Sequence, residues 1–304
     1  MRHEVWLAVG NAMCGIVGII GDGAAPPLLR SMIRSMYHRG PDHQGSWHDH
    51  ENGVGLGNAR LAILDLSPQG HQPMLSASGR YVITFNGEIY NFQDLRSELA
   101  AHGHRFCGHS DTETMLAAFE QWGIEAAVKR FEGMFAFAVW DRVDRTLYLV
   151  RDSLGQKPLY YTWMNGVFLF GSELKALRPH PSFRPEINSG ALVLLLRHSY
   201  IPEPYSIYNA VHKLAPGSIL AIPLAAARNG QGAVHQRYWS AADTVARALA
   251  DPWRDGEGAA LGRLEVLLKD AVRQHMIADV PLGVFLSGGI DSSLLAALMQ
   301  LQST

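Results

Sequence analysis

Near the C-terminus, the run Ser287-Gly-Gly-Ile-Asp-Ser-Ser293 follows an apolar stretch (280–286) and opens another apolar segment. Two glycines at the end of a strand let backbone N–H groups approach an anion held at the next helix's N-terminus. Ser287, Asp291, Ser292 and Ser293 add hydroxyl and capping groups around it. The lysine of a Walker loop is missing, so the pattern suits a held pyrophosphate and attack on the α-phosphorus, that is, AMP transfer. At the other end, Met13-Cys14-Gly-Ile-Val-Gly18 sets a cysteine just ahead of an apolar strand. A thiolate is a good acyl acceptor, but with no histidine partner it needs another base. The α-amino group of Cys14, with an ordinary pKa of ~7.7–8.0, would serve if Cys14 were the first residue. Each pattern also has an ordinary reading, a glycine-rich turn with a serine cap and an inert core thiol.

Other candidates read as structure. His48-Asp-His50 lacks a matching ligand cluster and reads as a polar loop, so no metal ligands are assigned. Cys107 reads as a core or half-buried thiol. Phe135, Phe137 and Trp140 alternate with alanine as a strand core.

The elements that must position these groups follow from periodicity. Strands are expected at 15–20, 54–64, 80–90 and 166–173, with a hairpin formed by 133–141 and 145–152. Helices are expected from Pro26 to Met36, from an Asn91 cap to His102, and from the Ser110-Asp-Thr-Glu113 capping box to Gly123. Such runs of strands beside paired helices predict antiparallel sheets packed in layers. After about Tyr208 the composition turns polar and small, as in a connector. Leu261, Leu264, Leu267, Leu268, Ala271 and Val272 then give a helical stripe, and 280–286 reads as a buried strand.

The 304 residues, at roughly 150 per domain, predict about two domains. With 47% hydrophobic and 18% charged residues there is ample material for a core, which argues against disorder. A net charge of −2 without a basic block argues against nucleic-acid binding. No apolar run approaches the ~18 residues of a membrane span. Two cysteines rule out a disulfide framework, and a cytoplasmic protein is expected.

Several motifs then occur in fixed order: Cys14-Gly15-Ile16, His38-Arg-Gly-Pro-Asp42, Arg60-Leu-Ala-Ile-Leu64, Asn86-Gly-Glu-Ile-Tyr-Asn91 and Ser110-Asp-Thr-Glu113, followed by Asp141, Arg151-Asp152, Gly155-Gln-Lys-Pro-Leu-Tyr160 and SGGIDSS. From Met13 onward the chain closely resembles the bacterial type of glutamine-hydrolysing asparagine synthetases, within the class II glutamine amidotransferases. The resemblance implies an α+β fold, a four-layer αββα sandwich of the N-terminal-nucleophile hydrolase type, followed by the first strand–loop–helix of a doubly wound α/β PP-loop domain. It implies Cys14 as nucleophile and Asn86 with Gly87 as oxyanion hole. Arg60 would hold the glutamine α-carboxylate, Glu88 and Asp111 the α-ammonium, and the backbone of Leu61, Ala62, Ile63 and Leu64 would line the same pocket. Leu286, Ser287, Gly288, Gly289, Ile290, Asp291 and Ser292 would contact ATP and its pyrophosphate, with Mg²⁺ accompanying ATP. Glutamine, aspartate and ATP would be the substrates, and a homodimer is left open.

Two departures from the family pattern stand out. Thirteen residues precede Cys14, so translation is expected to start at Met13, or a leader to be cleaved. Only one helix follows the glycine loop, so a piece of a longer protein is expected. The division reads as an extension (1–13), a glutaminase domain (14–205), a connector (206–257) and a truncated start of an ATP-binding domain (258–304). Rival readings keep the architecture with a different carboxylate acceptor, as in polysaccharide or secondary-metabolite pathways, or make the chain a non-catalytic module.

Overall fold

The computed structural model describes residues 13–21 and 24–303. Of the extension, only Met13 lies among them. The strands are β1 (Gly15–Ile20), β2 (His43–Asp49), β3 (Val54–Arg60), β4 (Met74–Leu75), β5 (Tyr81–Ile89), β6 (Gly133–Asp141), β7 (Thr146–Arg151), β8 (Tyr160–Met164), β9 (Val167–Gly171), β10 (Val211–Lys213), β11 (Ser218–Pro223) and β12 (Val234–Arg237). The helices are α1 (Pro26–Arg34), α2 (Phe92–Ala101), α3 (Asp111–Trp122), α4 (Ile124–Val128), α5 (Leu174–Leu177), α6 (Ser189–His198), α7 (Ala241–Ala250), α8 (Gly256–His275) and α9 (Ile290–Gln302).

Two six-stranded sheets form, in the orders β10-β8-β9-β1-β3-β2 and β12-β11-β7-β6-β5-β4, with every pairing antiparallel. β6 shows why they stack. Successive strand residues face opposite sides, so Phe135, Phe137 and Val139 pack with α2, α3 and α4, while Ala136, Ala138 and Trp140 face the first sheet. Both faces are covered, so the strand reads as a continuous apolar run. The Phe and Trp rings expected to form one strand core therefore serve two layers. A third cluster joins the outer face of the first sheet to α1 and α5. The layers run α, β, β, α, as expected.

Local differences have local causes. β3 stops at Arg60 and α1 at Arg34, short of the expected ends. Asn91 stands at the start of α2 but does not cap it; its amide bridges Arg130 O (2.9 Å) and Glu132 N (3.1 Å), tying α2 to the start of β6. Ser110 does cap α3 by accepting the Glu113 N–H at 3.2 Å, while the Glu113 carboxylate turns to the N–H groups of Cys107 and Gly108. His48 lies on β2 rather than in a loop, with Nδ1 3.0 Å from Ala24 O. Cys107 is exposed, not buried, and both Cys14 and Cys107 are free thiols.

Residues 206–257 are less irregular than their composition suggests. β10 completes the first sheet, β11 and β12 complete the second, and α7 follows. Residues 281–287 form no strand and are exposed, against expectation. A strand needs a ladder partner for its N–H and C=O groups, and no described strand pairs with this one. Among the described residues no helix is long and apolar enough to cross a membrane.

Candidate functional site

One pocket opens where the two sheets meet. It measures about 590 Å³ including its solvent-filled mouth, and Cys14, Arg60, Asn86, Gly87, Glu88 and Asp111 all line it. Four elements deliver these groups. Cys14 immediately precedes β1, Arg60 ends β3, Asn86 to Glu88 lie on β5, and Asp111 begins α3.

The Cys14 thiol is gripped by Leu61. The Leu61 N–H donates to Sγ at 3.3 Å, and the S–H donates back to Leu61 O at 3.4 Å. Burial raises the thiol pKa, against the pull of the Leu61 N–H and the Arg60 charge. The resting sulfur is therefore a neutral thiol that needs a proton acceptor. Arg39 Nε donates to Cys14 O at 3.1 Å while its Nη1 pairs with Glu173 at 3.0 Å, fixing the backbone before β1.

Asn86 is almost wholly buried, and its Nδ2 donates to nothing among the described residues. An unsatisfied buried donor costs about 1–3 kcal/mol, so one aimed into a pocket marks a place for an acceptor. Gly87 lies opposite Phe135 in the β5–β6 ladder. A Cβ there would fall 2.2 Å from Met134 O and 2.7 Å from Phe135 Cα, so no larger residue fits.

Arg60 is buried and commits Nη2 to Leu64 O (3.0 Å) and Asp65 O (2.6 Å), which folds the 61–65 loop around its guanidinium. Asp111 accepts the N–H of Ile89 at 3.0 Å and of Thr112 at 2.8 Å. Burial pushes its carboxyl up to about 6, with those N–H groups pulling back and Glu88 repelling. Burial also raises Glu88, against the pull of Lys157 and His275. Two carboxylates that both resist ionisation make a receptor for a cation.

Leu61, Ile63 and Leu64 line the pocket as expected. Ala62 does not; its N–H donates to Asp42 Oδ2 at 2.9 Å instead. The expected anion-loop residues, Leu286 to Ser292, form a separate and mostly exposed feature. There Gly288 adopts φ +82°, the Ser287 and Ser292 hydroxyls lie 3.0 Å apart, and no side chain caps α9.

Among the pocket residues not singled out from the sequence are Lys157 and Gln72. Lys157 stands inside the GQKPLY motif, which was the available signal. Its Nζ reaches Met13 Sδ at 2.7 Å, and burial lowers its pKa against the opposing pull of Glu88 and Cys14. Gln72 bonds Phe85 N (2.7 Å), Asn58 Nδ2 and Thr112 Oγ1, so it braces the strand carrying Asn86. A single glutamine in a loop gives no such signal.

A family model described as a glutamine amidotransferase domain matches residues 13–239, and one described as asparagine synthase matches 263–304. Among curated proteins, asparagine synthetase [glutamine-hydrolyzing] 1 of Bacillus subtilis (strain 168) is 38% identical over 292 residues, covering 94% of this chain and 44% of that protein. Asparagine synthetase [glutamine-hydrolyzing] 3 of the same organism is 34% identical over 294 residues, covering 94% of this chain and 45% of that protein. The chain thus spans a little under half the length of these relatives. Among solved structures, glutamine phosphoribosylpyrophosphate amidotransferase from B. subtilis aligns with a TM-score of 0.55 at 19% identity, over 74% of this chain and 49% of that one. That likeness carries the sandwich fold alone.

Proposed function

The chain belongs to the family of glutamine amidotransferase domains, and from that premise we propose that it hydrolyses glutamine at Cys14 to supply ammonia. One observation carries the reading: a thiol, a partnerless buried amide donor, a buried arginine and a carboxylate pair line one pocket. Arg60 receives the glutamine α-carboxylate, and Asp111 with Glu88 receives the α-ammonium. The thiol proton passes to the free α-amino group of Cys14 once the residues ahead of it are gone. The thiolate attacks the side-chain carbonyl, and the oxyanion is met by Asn86 Nδ2 and the Gly87 N–H. The amino group of the intermediate takes the proton back from the Cys14 ammonium and leaves as ammonia as the C–N bond breaks and the thioester carbonyl re-forms. Water then hydrolyses the thioester to glutamate and regenerates the thiol.

In the whole protein the ammonia amidates an activated carboxylate, and the relatives' names favour aspartate, giving asparagine, AMP and pyrophosphate. The exposed loop with a positive-φ Gly288, two hydroxyls and an uncapped helix start suits the pyrophosphate of ATP; Mg²⁺ would neutralise phosphate charge. The amidotransferase unit in this reading begins at Cys14 and takes in β10, β11 and β12, and the synthetase segment begins with α8. Two free thiols accord with a reducing cytoplasm.

Trapping with an electrophilic glutamine analogue tests the reading. The expected result is one covalent adduct at Cys14, formed faster when Cys14 is N-terminal. A folded protein, N-terminal at Cys14, that takes no label would overturn it and leave the non-catalytic module. Assay of the whole protein with alternative carboxylates separates aspartate from other acceptors.

A further inference from the structure

At the end of α8 and just past it, residues 275–279 lie against the glutamine pocket rather than beside the anion loop. The His275 and Tyr90 ring centroids lie 3.9 Å apart with the rings tilted by 36°, and Ile277 packs on the cluster beneath β5 and α3. Asp279 then engages the 61–65 loop through both backbone and side chain. Its N–H donates to Ile63 O at 2.9 Å, and its Oδ2 accepts the Asp65 N–H at 2.7 Å. The same oxygen lies 2.7 Å from His109 Nε2.

Asp65 is the residue on which the loop turns. It is fully buried and adopts φ +52°, a left-handed conformation that costs a non-glycine residue about 1–2 kcal/mol. Such a conformation persists only where several contacts determine it. Here the carboxylate accepts from Ser67 and the His109 N–H, the carbonyl accepts from Arg60 Nη2, and among the described residues the N–H is held by Asp279 alone. Arg60 thus hangs on a residue whose backbone is fixed from the far end of the chain.

We propose that Asp279 is a positioning residue for the glutamine site, fixing Asp65 and through it the Arg60 guanidinium that receives the substrate carboxylate. The role rests on the glutaminase reading above. It also means that the pocket is finished by the segment that matches asparagine synthase, not by the sandwich alone.

The test compares Asp279→Ala and Asp279→Asn in the full chain with Cys14 as its first residue. Asp279→Ala is expected to raise the KM for glutamine about tenfold with kcat within about threefold, because a misplaced carboxylate receptor weakens binding before it harms chemistry. Asp279→Asn keeps an acceptor oxygen for the Asp65 N–H and should restore most of the KM. A purely structural role would instead lower the melting temperature and the active fraction at unchanged KM, and that result overturns the proposal. Hydrogen exchange of the 61–67 peptide reads the fastening without any turnover. If the parent chain hydrolyses no glutamine, the glutaminase reading falls. Faster exchange in Asp279→Ala then still supports the clamp, and unchanged exchange removes it.

Discussion

The Asp111 carboxylate accepts the N–H of Ile89 at 3.0 Å, tying the first residue of α3 to the strand that carries Asn86, three residues upstream. One bond thereby couples the group proposed to hold the substrate's ammonium to the strand proposed to hold its oxyanion. With Oδ2 on Ile89 and Oδ1 on the Thr112 N–H, both carboxylate oxygens are oriented by backbone donors.

The pH dependence of glutamine binding follows from that carboxyl. Its ordinary value is 3.8 and burial pushes it up to about 6. Only the ionised form attracts the ammonium, so KM should be flat above pH 6. It should rise about tenfold per pH unit below that, in the limit of one proton. Steady-state kinetics between pH 4.5 and 8 measure this, and a KM without an upturn below pH 6 would contradict the assignment. Asp111→Asn should lose that pH dependence and raise KM at every pH by roughly 10- to 100-fold, the loss of a charged hydrogen bond.

Asn86→Ala separates catalysis from stability. Removal of one oxyanion donor costs ~10²–10³ in kcat, so a fall of that order is expected with little change in KM. The free protein should be no less stable, because Asn86 Nδ2 has no partner among the described residues to lose. Thermal unfolding checks the second half: a melting temperature lowered by more than a few degrees would mean that Asn86 braces the fold.

Asp141 offers a test of the sandwich remote from the pocket. Its buried carboxylate takes three contacts of 2.7–3.0 Å from Arg80 and accepts the N–H groups of Val143 and Asp144 in the β6–β7 turn. Burial alone would raise its pKa, yet Arg80 and the turn hold it below the usual carboxylate value. A lowered pKa stabilises the fold above the unfolded value, and that contribution is lost as pH falls through the folded one. Asp141→Ala should cost about 2–4 kcal/mol at neutral pH, since it orphans two backbone donors and leaves Arg80 only its exposed pairing with Asp144. Urea unfolding at pH 7 and pH 3 should show this difference shrinking at the lower pH.

The sandwich was legible because its strands are bounded by local signals. β6 is apolar from Gly133 to Trp140, Ser110 caps α3, and Gly123 at φ +77° ends it. Cys14, Arg60, Asn86 and Asp111 were legible as a set only through motif order, since they lie up to 97 positions apart and no periodicity links them. What escaped depends on partners elsewhere in the chain. β11 is itself apolar but short, and the small and polar stretches that follow it at 224–232 and 240–258 read as connector, although β7 offers β11 a full ladder. Residues 281–287 have strand composition and no described partner, so they form no strand and remain exposed. The contact between Asp279 and Asp65 spans 214 positions and leaves no local trace.

Gly87→Ala should differ from Asn86→Ala in its effect on stability, although the residues are neighbours. The added methyl would meet Met134 O at 2.2 Å and Phe135 Cα at 2.7 Å, both backbone of the paired strand β6. No side chain can rotate aside, so the β5–β6 ladder itself must part. Overpacking of this kind costs about 1–3 kcal/mol. For a domain of this size that corresponds to a melting temperature lower by roughly 2–12 °C. Parting the strands also shifts the Gly87 N–H away from the oxyanion, so kcat should fall together with stability. Circular dichroism melts and glutaminase rates on the same preparation read both quantities. If Gly87→Ala keeps its melting temperature and its rate, then β5 has slack at this position and the Gly87 N–H is not a fixed oxyanion donor.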